Sequence, residues 1–103
     1  MSDYDIDKIS EIIHGRLRLG VMAYLANADA ASFTELKSAL KVTAGNLSIQ
    51  MRKLEDAGYI EIEKAIVARK MLTTVRLTRA GREAFAAYLD ALSGVLGSAL
   101  KPE

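Results

Sequence analysis

The chain has 103 residues, 50% of them hydrophobic and 26% charged, which leads us to expect one folded domain over 1–103, neither disordered nor accompanied by a second domain. With no cysteine and His14 as its one histidine, it excludes disulfides, thiolate metal sites, cysteine nucleophiles and a self-contained histidine metal centre, and no cofactor is expected. The net charge of +1 hides a division: residues 1–13 carry four acidic side chains against Lys8, whereas residues 41–82 carry nine basic against four acidic, a distribution suited to a polyanion-binding face or simply to a solvated one.

Ile6, Ile9 and Ile13, with Ile12 beside them, follow the i, i+3, i+7 spacing of a helix face, and Gly15 interrupts that run. Leu17, Val21, Tyr24 and Leu25, with Met22 nearby, predict a longer helix closing near Asn27, so that 1–28 forms a helical terminal part. The acidic start lacks the basic character of a secretory signal, and charge breaks every apolar run before it could span a bilayer, so a cytoplasmic location is expected. Thr34 is the expected N-cap of a short helix from Glu35 to Leu40, with Leu36 and Leu40 inward. Thr43 caps the next helix, in which Leu47, Met51 and Leu54 mark the buried face and Gly58 supplies the terminating residue. Two helices over 34–57 joined by a tight turn make a helix-turn-helix.

The apolar period then changes from 3.6 to 2. Tyr59 to Lys64 alternates apolar and charged residues, and Thr73 to Thr78 is rich in β-branched ones, which predicts a hairpin over 59–78. With Ile62 opposite Val75, Ile60 meets Leu77 on the core face, Glu61 meets Arg76 as an opposite-charge pair outside, and Val67-Ala68-Arg69-Lys70 forms the tip. Thr78 caps a last helix over 79–100, with Phe85, Leu89, Leu92 and Leu96 as its stripe. The fold class is α+β, mainly helical: a winged helix-turn-helix with a two-stranded wing and a carboxy-terminal dimerisation helix.

Four stretches carry a resemblance: Ser32-Phe33-Thr34-Glu35-Leu36, Val42-Thr43-Ala44-Gly45-Asn46-Leu47-Ser48, Leu54-Glu55-Asp56-Ala57-Gly58-Tyr59-Ile60 and Leu77-Thr78-Arg79-Ala80-Gly81-Arg82. Over nearly its whole length the chain resembles the small winged-helix transcriptional regulators related to the MarR and ArsR groups. That resemblance implies binding of double-stranded DNA as a homodimer, with the helix over 44–57 in the major groove and the hairpin tip near the minor groove.

With Leu47, Met51 and Leu54 inward, about 100° per residue turns Gly45, Ile49, Arg52 and Asp56 outward, flanked by Asn46, Ser48 and Lys53, with Gln50 nearer the core edge. Asn46 and Gln50 can bond adenine, Ser48 a base or a phosphate, Arg52 and Lys53 phosphate or guanine, and Ile49 a thymine methyl. Thr34, Lys37 and Thr43, at or near helix starts, add sugar-phosphate contacts, and Arg69 and Lys70 suit the minor groove. Each has a plainer reading: a solvated helix face, Thr34 as a cap alone, tip cations as edge solubility. An outward Ile49 also suits contact with protein, so the rival function is a winged-helix protein–protein module. His14 suits a helix end or the surface, Glu61 and Glu63 suit the solvent face of a strand, and no nucleophile or oxyanion element accompanies them, so no enzyme activity is expected.

The last helix holds more apolar surface than one stripe requires, and the resemblance places it with the first segment at a two-fold interface through Ile6, Ile9, Ile13, Phe85, Tyr88, Leu89, Leu92 and Leu96. A two-fold dimer calls for an inverted repeat in the DNA and fits a repressor. The alternative is that both terminal elements cover one monomeric core. No membrane partner is expected, and the sequence identifies no small-molecule effector.

Overall fold

Helix caps set the boundaries of nearly every element in the computed structural model, which describes residues 5–97. The first four residues, and the expected continuation of the last helix to residue 100, lie outside that range. Helix α1 (Arg16–Ala28) begins after an extended Gly15, buries Leu17, Val21, Met22 and Leu25, and stops where Asp29 turns to φ +65°. The helix expected over Ile6 to Ile13 is absent: one 3₁₀ turn, Ile6–Lys8, is followed by irregular turns. The segment is β-branched and too short to sustain its own nucleation, and the Ser10 hydroxyl accepts from the Ile13 N–H, competing with the helical backbone pattern.

Strand β1 (Ala30–Ser32) follows, unforeseen because Ala-Ala-Ser has no alternation of its own. Ser32 also caps α2 (Phe33–Leu40): its hydroxyl accepts from the Glu35 N–H, while the Glu35 carboxylate accepts from the Ser32 N–H. Thr34 is therefore not the cap, because the reciprocal Ser-x-x-Glu box starts the helix two residues earlier. The other carboxylate oxygen of Glu35 accepts from the Tyr24 hydroxyl at 2.5 Å, tying α1 to α2 and raising the Tyr24 phenol above its ordinary pKa. Lys41 in the left-handed region turns the chain into α3 (Ala44–Asp56), where the Thr43 hydroxyl accepts from the Asn46 N–H as expected. Leu47, Met51 and Leu54 are its buried face, and Gly58 at φ +82° ends it.

Strands β2 (Ile60–Val67) and β3 (Lys70–Leu77) pair in the expected register, Ile62 opposite Val75, and run further out than the sequence patterns did. Ala68 and Arg69, both at positive φ, form a two-residue turn, the connection whose twist matches that of the flanking strands. The sheet is three-stranded and antiparallel in the order β1-β3-β2. Arg76 pairs with Glu63 at 3.7 Å rather than with Glu61 opposite it, a diagonal partner on the same face that strand twist brings within reach.

Thr78 caps α4 (Arg79–Leu96) by accepting from the Gly81 N–H, and its hydroxyl donates to the Gly58 carbonyl at 2.6 Å. The Tyr59 carbonyl accepts from the Thr78 N–H and lies so close to Gly81 that a Cβ there would sit 2.0 Å from its oxygen. The Gly-Tyr-Ile exit and the Leu-Thr-x-x-Gly entry are thus two halves of one joint. Below it, α1, α2, α3, the base of the sheet and α4 share a single apolar core. The phase of α4 differs from the expected stripe: Gly81, Phe85 and Tyr88 face inward, with Leu92 half-buried, while Leu89 and Leu96 are exposed.

Candidate nucleic-acid interface

The caps and core of α3 leave Asn46, Ser48, Ile49, Arg52 and Lys53 exposed, and Ile49 is 58% accessible. This is the outward face that periodicity predicts, with Gln50 half-buried at its edge. An open cleft of about 540 Å³ separates α3 from the wing, lined by Phe33, Ser48, Met51, Arg52, Glu55, Ile62, Lys64 and Thr73. Ser48 and Arg52 are therefore brought together with Lys64, a residue the sequence reading counted as charge but did not single out. Alternation could have found it, because Lys64 shares a face with Ile62. Thr34 and Lys37 are exposed on α2, Thr43 is spent on capping α3, and Arg69 and Lys70 lie at the wing tip, outside the cleft lining.

The charges separate by role. Arg76 pairs with Glu63, Arg79 with Glu83 and Arg82 with Asp29, all near the sheet base and the start of α4. Among the described residues, no acidic side chain pairs with Arg52, Lys53, Lys64, Arg69 or Lys70, which line α3 and the wing. These side chains are available to an external anion, beside Glu55, which lines the same cleft. The outer wing also carries exposed Ile66, Val67, Met71 and Leu72.

One hydrogen-bonded chain enters α3 from behind. Arg18, on α1, donates through Nε to the Ile12 carbonyl at 2.6 Å and through a terminal nitrogen to Gln50 Oε1 at 2.5 Å. Gln50 Nε2 in turn donates to Asn46 Oδ1 at 3.3 Å. Sequence offered no signal for Arg18, whose partners are the main-chain carbonyls of Ile12 and Glu11 and a side chain 32 residues away.

The residues assigned to a two-fold interface divide. Ile13, Phe85 and Tyr88 belong to the core of the chain itself and are removed from that set, because their surface is already buried. Tyr88 also meets His14, its hydroxyl 2.9 Å from Nδ1 of the imidazole, and burial raises its phenol pKa. Ile9 and Leu92 are half-buried against the core, whereas Ile6, Leu89 and Leu96 stand out from it. A groove of about 700 Å³ runs between the first turn and α4, lined by Ile6, Ile9, His14, Leu92 and Val95 among others. Among the described residues, no helix is long and apolar enough to cross a membrane.

Residues 17–96 match the family described as the winged helix DNA-binding domain. An uncharacterised protein of Methanocaldococcus jannaschii is 32% identical over 79 residues, covering 77% of this chain and 86% of that protein. The solved structure of a transcriptional regulator homologue from Pyrococcus horikoshii is similar at a TM-score of 0.81 and 31% identity, over 90% of this chain and 91% of the other. A MarR-like transcriptional regulator from Thermotoga maritima is similar at 0.60 and 27% identity, over 82% of this chain and 60% of its own.

Proposed function

The chain belongs to the winged helix DNA-binding domain family, and from that premise we propose that it is a non-enzymatic transcriptional repressor that binds an inverted repeat of double-stranded DNA as a homodimer, acting in the cytoplasm as one domain without a cofactor. The observation that carries the reading is where exposed, unpaired cations stand: Arg52 and Lys53 on α3 and Lys64, Arg69 and Lys70 on the wing form no salt bridge among the described residues, and Arg52 and Lys64 line one cleft between the two elements. In this reading α3 enters the major groove, with Ser48, Ile49 and Arg52 toward base edges and Lys53 toward phosphate. Asn46 faces the bases at the start of the helix, with Gln50 behind it. Thr34, Lys37 and Thr43 approach the sugar-phosphate backbone, and Arg69 and Lys70 reach the minor groove or its flanking phosphates. The two-fold contact falls to Ile6, Leu89 and Leu96, supported by Ile9 and Leu92.

Binding to a mixed-sequence duplex, followed by fluorescence anisotropy across a salt series, tests it. Affinity should fall on a log–log plot with a slope of about −0.9 for each phosphate neutralised. An affinity indifferent to salt would overturn the reading. Sedimentation should give twice the 11.2 kDa chain mass, and a stable monomer would remove the two-fold arrangement.

A second reading, a protein–protein module, is favoured by one observation: Ile49 and the outer-wing aliphatic residues are exposed together with the cations. Ile49→Ala discriminates. On DNA it should weaken only sites with thymine at the contacted position, whereas a protein partner should lose about 1–2 kcal/mol of association with DNA affinity unchanged.

A further inference from the structure

We propose that Arg18, although it lies on α1 and behind the exposed face of α3, sets which chemical end of Asn46 faces the DNA, and thereby selects bases that present acceptors. The inference rests on the reading of α3 as the helix that enters the major groove.

A guanidinium has donors and no acceptor, so whatever faces it must accept. The group facing Arg18 is the amide of Gln50, and its oxygen is therefore the end turned toward α1. That leaves Nε2 as the end turned along the helix toward Asn46 one turn earlier, and because Nε2 can only donate, Asn46 must meet it with Oδ1. The orientation of two otherwise ambiguous amides is thus fixed by one donor-only side chain. Arg18 is itself held by the Ile12 carbonyl, and Gly15 leaves space for it: a Cβ there would lie 2.8 Å from a guanidinium nitrogen.

The consequence is a polarity. Asn46 Oδ1 is engaged from behind, and Nδ2, which makes no hydrogen bond among the described residues, is the end left for a partner. Bidentate recognition of adenine needs both ends of the amide, the oxygen accepting from N6 and the nitrogen donating to N7. With Nδ2 leading, Asn46 suits guanine best, whose O6 and N7 are acceptors side by side; thymine O4 and adenine N7 each offer one acceptor, and cytosine, whose major-groove edge is a donor, is disfavoured.

The test is selection of bound duplexes from a randomised pool by the full chain and three variants. Asn46→Ala first identifies the base position that Asn46 reads. The unaltered protein should prefer guanine there, by about 5-fold or more over cytosine. Gln50→Glu keeps the volume and the bond to Arg18 but can only accept; Asn46 Nδ2 must then turn back toward it, and the preference should shift to adenine or cytosine. Arg18→Met removes the anchor and should flatten the preference at that position alone, with the melting temperature of each variant confirming that it is folded. Retention of the original preference in folded Gln50→Glu and Arg18→Met, or a preference for adenine in the unaltered protein, overturns the proposal. So does the absence of any position that depends on Asn46.

A readout that needs neither DNA nor a folded variant is the nuclear Overhauser pattern of the free protein. The Gln50 amide protons should lie near Asn46, and finding them against the Arg18 guanidinium instead would overturn the assignment. Failure of the DNA reading itself would look different: no salt-dependent binding to any duplex by the unaltered chain.

Discussion

The helical body and the outer wing are built from similar aliphatic side chains and treat them in opposite ways. Leu36, Leu47, Leu54 and Val75 are completely buried, whereas Ile66 and Met71, directly opposite one another on the hairpin, are 73% and 63% exposed. In the body, position follows from burial, and each residue is held by many neighbours at once. Beyond Ile62 and Val75 the hairpin leaves the core, and its geometry rests on the backbone ladder and on a two-residue turn. An isolated pair of strands is marginal in water, so the wing should open locally at a lower free energy than the body unfolds.

The strongest way to break this comparison is at the joint between the two regions. Gly81→Ala places a methyl group against the Tyr59 carbonyl, where both sides are backbone, and should cost upwards of about 4 kcal/mol in chemical denaturation or abolish folding. Gly45, with open space around it, should accept Ala at no loss and gain up to about 1 kcal/mol of helix stability.

Within each region, Leu54→Ala should cost about 2–5 kcal/mol, and Ile66→Ala less than about 0.5 kcal/mol, by the same denaturation measurement. A large effect at Ile66 would show that the outer wing is covered in solution. Replacing Arg69 and Lys70 together by Ala should lower the salt slope of DNA binding by roughly one to two units and leave the melting temperature in place. An unchanged slope would detach the tip from the DNA contact. A local change sharpens the picture of the turn: Ala68→Gly, at φ +51°, should slow amide exchange in the hairpin by up to about 1 kcal/mol of opening free energy without altering exchange in α3.

What could be read from the sequence follows the same division of forces. The phase of α3, the caps at Thr43 and Thr78 and the pairing of Ile62 with Val75 are legible because one burial stripe or one alternating pattern decides each of them. The isoleucines before Gly15 carry helical spacing without a helix, since Ile9 and Ile13 reach the core from turns and not from a continuous cylinder, and Ile6 and Ile12 stay exposed. Strand β1 has no pattern because β3 defines it from outside. The phase of α4 is ambiguous for the opposite reason: Ala84, Phe85, Ala86, Ala87, Tyr88 and Leu89 are apolar in succession, so periodicity cannot choose among them, and only the Tyr59 contact at Gly81 sets the rotation. At the candidate interface the exposed face was legible, but Lys64 and Arg18 acquire meaning only from the cleft and from the hydrogen bonds that tertiary folding creates.

The brevity of β1 leaves a mark on how copies of this molecule meet. It covers β3 only opposite residues 74–76, so the outer half of β3 and the free side of β2 both present main-chain donors and acceptors, flanked by aliphatic side chains. Such a surface is a template for edge-to-edge stacking, and the exposed charges of Lys64, Arg69 and Lys70 on it would oppose the approach of a like hairpin. Their repulsion would reach only about one Debye length, near 10 Å at 0.1 M salt, so added salt should weaken this protection against stacking.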